Sequence, residues 1–523
     1  MGVQHGAKGI MFLGTASNVG KSTLSTALCR ILAQDGYRVA PFKAQNMSLN
    51  SAVTPSGREI GRAQAVQAEA AGILSNEHMN PVLLKPTGSS RSQVVVQGRV
   101  KETMSARSYF QSNKSELWQA VVESYTFLKE RYDVIVMEGA GSPVEMNLKS
   151  RDIVNMRAAM MADADVFLVA DIDRGGIFAS VVGTLLLLTE EERARVKGII
   201  VNKFRGDPKL FEDGVRLLEE YAKVPVLGVI PHIADLGIEE EDSLGLEEDR
   251  YHHVKAHTRE DQVPDEQRVH IGIIHLPHIA NFTDFDPLFL EAEVSVTFCT
   301  KVEDLIGVDA IILPGTKNTM EDLRFLHESG LAKAITQHAT KGVSVLGICG
   351  GLQMLGERVM DPHHHESEDS VIPGLHLFHY ETTITDEKRT ELVRGELQGV
   401  FAGIFVHGYE IHMGKTVGDK DQAFALAKSD RDITMIEDGA QSLDGRYIGT
   451  YLHGILHNDH FRVIWLNRLR AVHGWKPLEH TVLTSEVRAH AYDRLASIVR
   501  EHLDMNVVYQ LLKQDSKRGE NCI

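Results

Sequence analysis

The chain has 523 residues, 43% hydrophobic and 24% charged, with a formal net charge of −17. Such a length predicts two or three domains and not one core. The acidic balance disfavours non-specific nucleic-acid binding, no apolar run reaches the ~18–20 residues of a membrane span, and Cys29, Cys299, Cys349 and Cys522 show neither disulfide nor zinc spacing.

The first apolar run, GIMFLG at 9–14, reads as a buried strand. It leads through a glycine-rich turn into a helical pattern over 21–36, with Leu24, Leu28, Ile31 and Leu32 on one face and Gly36 at its end. The turn itself, Gly14-Thr15-Ala16-Ser17-Asn18-Val19-Gly20-Lys21-Ser22-Thr23, has the composition and setting of a phosphate loop, although five residues precede Gly20 where four are usual. Glycines there let backbone N–H groups close on phosphate oxygens, with the helix N-terminus adding positive potential. Lys21 is expected to reach the outer phosphates and Ser22 to hold Mg²⁺.

Further strands are expected at 133–139, 164–171 and 197–203. The run DVIVMEG puts Glu138 at a strand end beside a glycine-rich turn, where an acidic residue can hold Mg²⁺ directly or through water. Asn202 and Lys203, in VNK, close another strand and are candidates for nucleotide contact. This strand–helix alternation predicts a doubly wound α/β domain over 1–250, bounded by an acidic, polar linker at 251–268.

A second α/β rhythm starts at VHIGIIHL (269–276) and runs through 309–315, 344–350 and 446–454, so a second doubly wound domain is expected over 269–500, with a tail at 501–523. The His363–His365 run lies in a polar stretch and reads as a surface loop more readily than as a metal site. In LGICGGLQMLG a strand runs into Cys349, then Gly350 and Gly351, then a helix. That is a nucleophile elbow: the turn is strained, the flanking residues must be small, and the helix N-terminus favours thiolate. The Gly350 N–H is a natural oxyanion donor, and the Gly315 region can supply another. His453, at a strand end in GTYLHG, is the favoured base. Glu410 is one candidate to orient it; a carboxylate from the first domain is another.

GTASNVGKST, EGAGSP and VNK, in that order, resemble the dethiobiotin-synthetase-like branch of phosphate-loop enzymes, which use ATP to phosphorylate a carboxylate. That resemblance makes Lys43 a phosphate contact and makes Asp171 and Asp173 candidate metal or substrate contacts. The second half resembles class I-type glutamine amidotransferase domains, with Cys349 as nucleophile and His453 as base, except that Ile455 stands where the ordinary pattern has Glu.

This fusion, together with FKAQNMSLNS at 42–51, VLLKPTGSSRSQVVVQG at 82–98 and GYEIHMG at 408–414, is similar to the cobyric acid synthase family of cobalamin-pathway amidotransferases. With no membrane-span run and no basic flank plus apolar core at its start, the chain is expected to be cytoplasmic. The resemblance implies an enzyme using ATP, Mg²⁺ and glutamine. It would amidate the b, d, e and g carboxylates of adenosylcobyrinic a,c-diamide, a corrinoid polycarboxylate; charge and hydropathy predict no nucleic-acid or membrane partner. Gln45, Asn46, Lys85 and Arg91 are then candidate substrate contacts. The alternatives are an a,c-diamide synthase on the same scaffold, whose segment at 42–51 would differ, and a MinD/ParA-type ATPase, which usually carries an extra lysine that this loop lacks.

Overall fold

The apolar runs of the first half pair side by side as six parallel strands. Their order is Val226–Pro231, Val196–Phe204, Asp165–Asp171, Lys8–Gly14, Val134–Glu138 and Val39–Phe42. All seven residues of Asp165–Asp171 are buried, as helices on both faces require. The helix Lys21–Gln34 covers one face with Leu24, Leu28, Ile31 and Leu32. The chain winds both ways from Lys8–Gly14, so the crevice at the strand ends opens beside the phosphate loop. The computed structural model describes residues 7–87, 91–111, 114–234, 236–238, 264, 267–419, 421–431, 434–479 and 482–513.

A second sheet holds Val294–Cys299, Val269–Ile274, Ala310–Leu313, Ser344–Ile348 and Tyr447–Thr450 in parallel, with Ala440–Gln441 antiparallel at one edge. Both parallel sheets follow the strand–helix rhythm of the sequence. The antiparallel and mixed parts do not. The long strands His379–Leu397 and Phe405–Asp419 pair as a hairpin beside the second sheet. In the first half Gln45–Met47, Val82–Pro86, Arg91–Val96 and Arg99–Ser105 form a separate four-stranded sheet. Next to it lies a ribbon of Ser51–Val53 against Glu59–Gly61.

The C-terminal helices correct the expected boundaries. Thr484–His502 and Met505–Lys513 lie against the first half: Leu495, Val499 and Val508 share a core with Leu24, Ile31 and Ile200. Leu503 makes a backbone bridge to Gly228. The second domain therefore does not extend to residue 500, and 501–513 is no loose tail but part of the first core. Most of the expected 251–268 linker, and Cys522, lie outside the described residues. Among those residues no helix is long and apolar enough to cross a membrane.

Candidate active sites

The phosphate loop keeps its shape through close backbone approach. A Cβ on Gly14 would come within 2.6 Å of Val19 and 2.8 Å of the Ala16 carbonyl, and Gly20 sits at φ 98°. Thr15 N–H donates to Val169 O at 2.9 Å, tying the loop to the neighbouring strand. Lys21 leads into the helix with Ser22 and Thr23 behind it, and its Nζ rests on the Ala16 and Gly141 carbonyls at 3.1 and 3.3 Å. Asn18 is left-handed at φ 58°. Asn202 and Lys203 brace the loop from outside: Asn202 Nδ2 donates to Val19 O at 2.8 Å and Lys203 Nζ to Asn18 O at 2.6 Å.

Four side chains converge under the loop. Ser22 Oγ and Lys43 Nζ donate to Glu138 Oε1 at 2.8 and 2.9 Å, and Gln67 Nε2 donates to Glu138 Oε2 at 2.8 Å. Burial works against the Glu138 charge, but Lys43 and the bonds from Gln67 and Ser22 outweigh it and hold the carboxyl below its usual range. Gln67 Oε1 is buried with no hydrogen-bond partner among the described residues. A hard cation takes oxygen ligands, so Ser22, Glu138 and this spare acceptor suit Mg²⁺ and its waters.

The other expected contacts diverge. Asp171 pairs with Lys203 at 2.9 Å and Asp173 with Arg205 at 2.9 Å. Gln45 accepts from the Tyr109 hydroxyl, Asn46 Nδ2 donates to Gln64 Oε1 at 3.2 Å, and Arg91 is exposed. Lys85 turns away from the loop. It is buried, bonded to Ser51 Oγ at 2.9 Å and Glu59 Oε1 at 2.7 Å, and it lines the pocket of the second half.

That pocket is built on Cys349. The residue adopts φ 53°, ψ −106°, a conformation that L-residues avoid, at the turn between Ser344–Ile348 and Gly350–Leu355. A Cβ on Gly350 would meet Thr316 Cγ2 at 2.5 Å, and one on Gly315 would meet His453 Cε1 at 2.8 Å, so both glycines crowd the reacting centre. Cys349 and His453 line the same pocket, and the Cys349 thiol donates to the Ile411 carbonyl at 3.4 Å. His453 Nδ1 lies 2.7 Å from Asp284 Oδ2, while Asp284 Oδ1 accepts the Gly454 N–H at 2.9 Å. Burial opposes an imidazolium here; Asp284, and Cys349 once it has given up its proton, favour it and raise the pKa of the ring. The orienting carboxylate is thus Asp284, from the second half itself. Glu410 is directed instead at Arg389, 2.5 Å away, and His412.

Residues 10–244 match the CobQ/CobB/MinD/ParA nucleotide binding domain, and residues 270–461 match the CobB/CobQ-like glutamine amidotransferase domain. A cobyric acid synthase of Caldanaerobacter subterraneus subsp. tengcongensis is 48% identical over 97% of this chain and 98% of its own. The chain belongs to the cobyric acid synthase family. Cobyric acid synthases of Salmonella arizonae and Salmonella typhimurium are 46% and 47% identical over the same shares. As a member of that family the chain is a glutamine-hydrolysing amide ligase with a nucleotide-binding domain.

Three side chains at these cobyric acid synthase sites carry no motif. Asp284 sits in the turn Phe282–Phe285, 169 residues before the histidine it orients. Gln67 lies on Arg62–Ala70, a helix whose buried face includes Gln64 and Gln67. Glu59 meets Lys388 of the second half at 2.5 Å. Two buried glutamines on one short helix were the only local signal for any of these, since a buried amide needs a polar partner.

Proposed function

We propose that this chain converts the b, d, e and g side-chain carboxylates of adenosylcobyrinic a,c-diamide into carboxamides, using one ATP and one glutamine for each. The observation that carries the reading is the pairing of two sites in one chain: Ser22, Lys43 and Glu138 gathered under a phosphate loop, and Cys349 and His453 in a pocket that Lys85 of the first half helps to close, with Asp284 behind His453. The relatives' name supports the corrinoid acceptor.

In the second half, Cys349 Sγ attacks the side-chain carbonyl carbon of glutamine while its proton passes to His453 Nε2. Backbone N–H groups of Gly350 and Gly315 receive the oxyanion. His453 protonates the departing nitrogen, ammonia leaves, and water cleaves the thioester to glutamate with the same imidazole as base. Asp284 keeps the ring in the required tautomer throughout.

In the first half, a corrin carboxylate attacks the γ-phosphorus of ATP, giving an acyl phosphate and ADP. Lys21 and Lys43 offset the charge that builds on the transferred group. Ser22 and Glu138 would hold Mg²⁺, which would supply further charge neutralisation at the phosphates. Ammonia then attacks the acyl carbon and phosphate departs. Activation is required because a carboxylate at neutral pH is a poor electrophile.

The test is mass spectrometry of the corrin after incubation with ATP, Mg²⁺ and glutamine. Adenosylcobyrinic a,c-diamide should show four successive replacements of carboxyl by carboxamide. No change in that acceptor, with only two replacements in cobyrinic acid, would instead assign the chain to the a,c-amidating type.

A further inference from the structure

The segment 42–51 starts at one site and ends at the other. Lys43 Nζ is on Glu138 beneath the phosphate loop. Eight residues later, the Ser51 N–H donates to Asn281 Oδ1 at 2.9 Å across the interface. That bond fixes which end of the carboxamide faces inward: Asn281 Nδ2 lies 3.3 Å from His453 Nε2, the nitrogen that must take the Cys349 proton. Asn281 is buried in the glutaminase pocket at φ 55°, ψ 39°, a left-handed conformation that asparagine tolerates. The strand beginning at Ser51 also reaches the same ring indirectly, through Tyr409. Val53 packs on Tyr409 and Ile411, and the Tyr409 ring stacks on His453 with centroids 5.1 Å apart.

We propose that the Asn281 carboxamide is a positioning switch for His453, set by the 43–51 segment according to the state of the ATP site. Nδ1–H of His453 is committed to Asp284, so Nε2 of the neutral ring has one lone pair, and two donors compete for it. With Ser51 in place, the Asn281 N–H takes that lone pair. The Cys349 thiol is left to donate to the Ile411 carbonyl, 3.4 Å away. Forming the thiolate–imidazolium pair would then set the new Nε2–H against an amide N–H, a repulsive arrangement. When the 43–51 segment shifts and frees Oδ1, a half-turn of the amide presents that oxygen to Nε2–H. The same residue then favours the proton transfer from Sγ to Nε2 that it had opposed. Glutamine is spared until an acceptor is being activated.

This inference rests on the proposed division of labour, and the experiment separates the two. Glutamine hydrolysis is measured with and without ATP plus the corrin acid, in the wild type, in Asn281→Gly, which suits the left-handed backbone, and in Asn281→Asp, which keeps an acceptor for Ser51 but no amide N–H. The wild type should hydrolyse glutamine slowly alone and be stimulated by the other substrates. Both variants should hydrolyse glutamine without them about tenfold faster than the wild type, the scale of one hydrogen bond, and lose the stimulation. Iodoacetamide should alkylate Cys349 faster in both variants in the absence of ATP. Amidation driven by ammonia should proceed at the wild-type rate in both, which a general folding defect would not allow. Stimulation that persists in both variants, or a wild type already at full rate on glutamine alone, overturns the switch. Failure of wild-type amidation from ammonia would instead overturn the function.

Discussion

Glu59 and Lys388, 329 residues apart in the chain, meet at 2.5 Å inside the interface between the two halves, with Lys85 on the other carboxylate oxygen at 2.7 Å. Burial penalises the Glu59 charge; Lys388 and Lys85 more than compensate and hold its carboxyl far below the usual range. A depressed carboxylate contributes stability that is present above its unfolded pKa, about 4.3, and lost as pH falls through the folded value. Removing the carboxylate leaves two buried ammonium groups without it. We expect Glu59→Gln to lose about 3–5 kcal/mol of stability at pH 7. Melting curves from pH 7 to 3 should show the wild type falling more steeply than the variant below about pH 4.

Asp284→Asn removes the charge behind His453 but keeps its shape. The imidazole loses the carboxylate that fixes its tautomer and raises its pKa. Glutamine hydrolysis should drop by roughly 10²–10⁴-fold, the range for a disabled acid–base group, while amidation from ammonia stays near the wild-type rate. Steady-state glutamate release reads the first and the corrin product the second. Glu410→Gln should leave the His453 chemistry in place, because Glu410 faces Arg389.

Cys349→Ala should abolish glutamine use and leave ammonia-driven amidation. Loss of both activities together would mean that the pocket serves the synthetase step as well.

Lys21→Ala should stop amidation from either nitrogen source, since both need the acyl phosphate. Gln67→Ala tests a residue without a motif. With its donation to Glu138 gone, that buried carboxylate is less well fixed. Amidation from glutamine and from ammonia should then fall by the same factor, with the Mg²⁺ concentration needed for half-maximal rate rising.

How much of this could be read beforehand depends on where the chemistry sits. Cys349 and His453 follow strand ends and Lys21 opens a helix, each next to a glycine, and such places need small residues wherever the chain turns sharply to present a side chain. That requirement is local, so it is written in adjacent letters. Asp284 and Asn281 act from a turn whose only requirement is to arrive beside His453, 169 and 172 positions further along the chain. No neighbouring letter records that arrival. Lys85 and the pair Asp171 and Asp173 looked like free polar contacts, yet each is consumed by a partner brought in by the tertiary fold. The antiparallel and mixed sheets do not show in the sequence for a related reason. Strands such as Arg99–Ser105 expose most of their residues and lack the continuous apolar run that marks a doubly covered strand.

The bridge between Gly228 and Leu503 brings the outgoing and returning strands of the chain to one place on the first half. The glutaminase is therefore an insertion held by two neighbouring staples, not a bead on a single string. Severing the backbone anywhere in 239–263 would leave both pieces together, because Leu495, Val499 and Val508 remain locked in the core under the phosphate-loop helix.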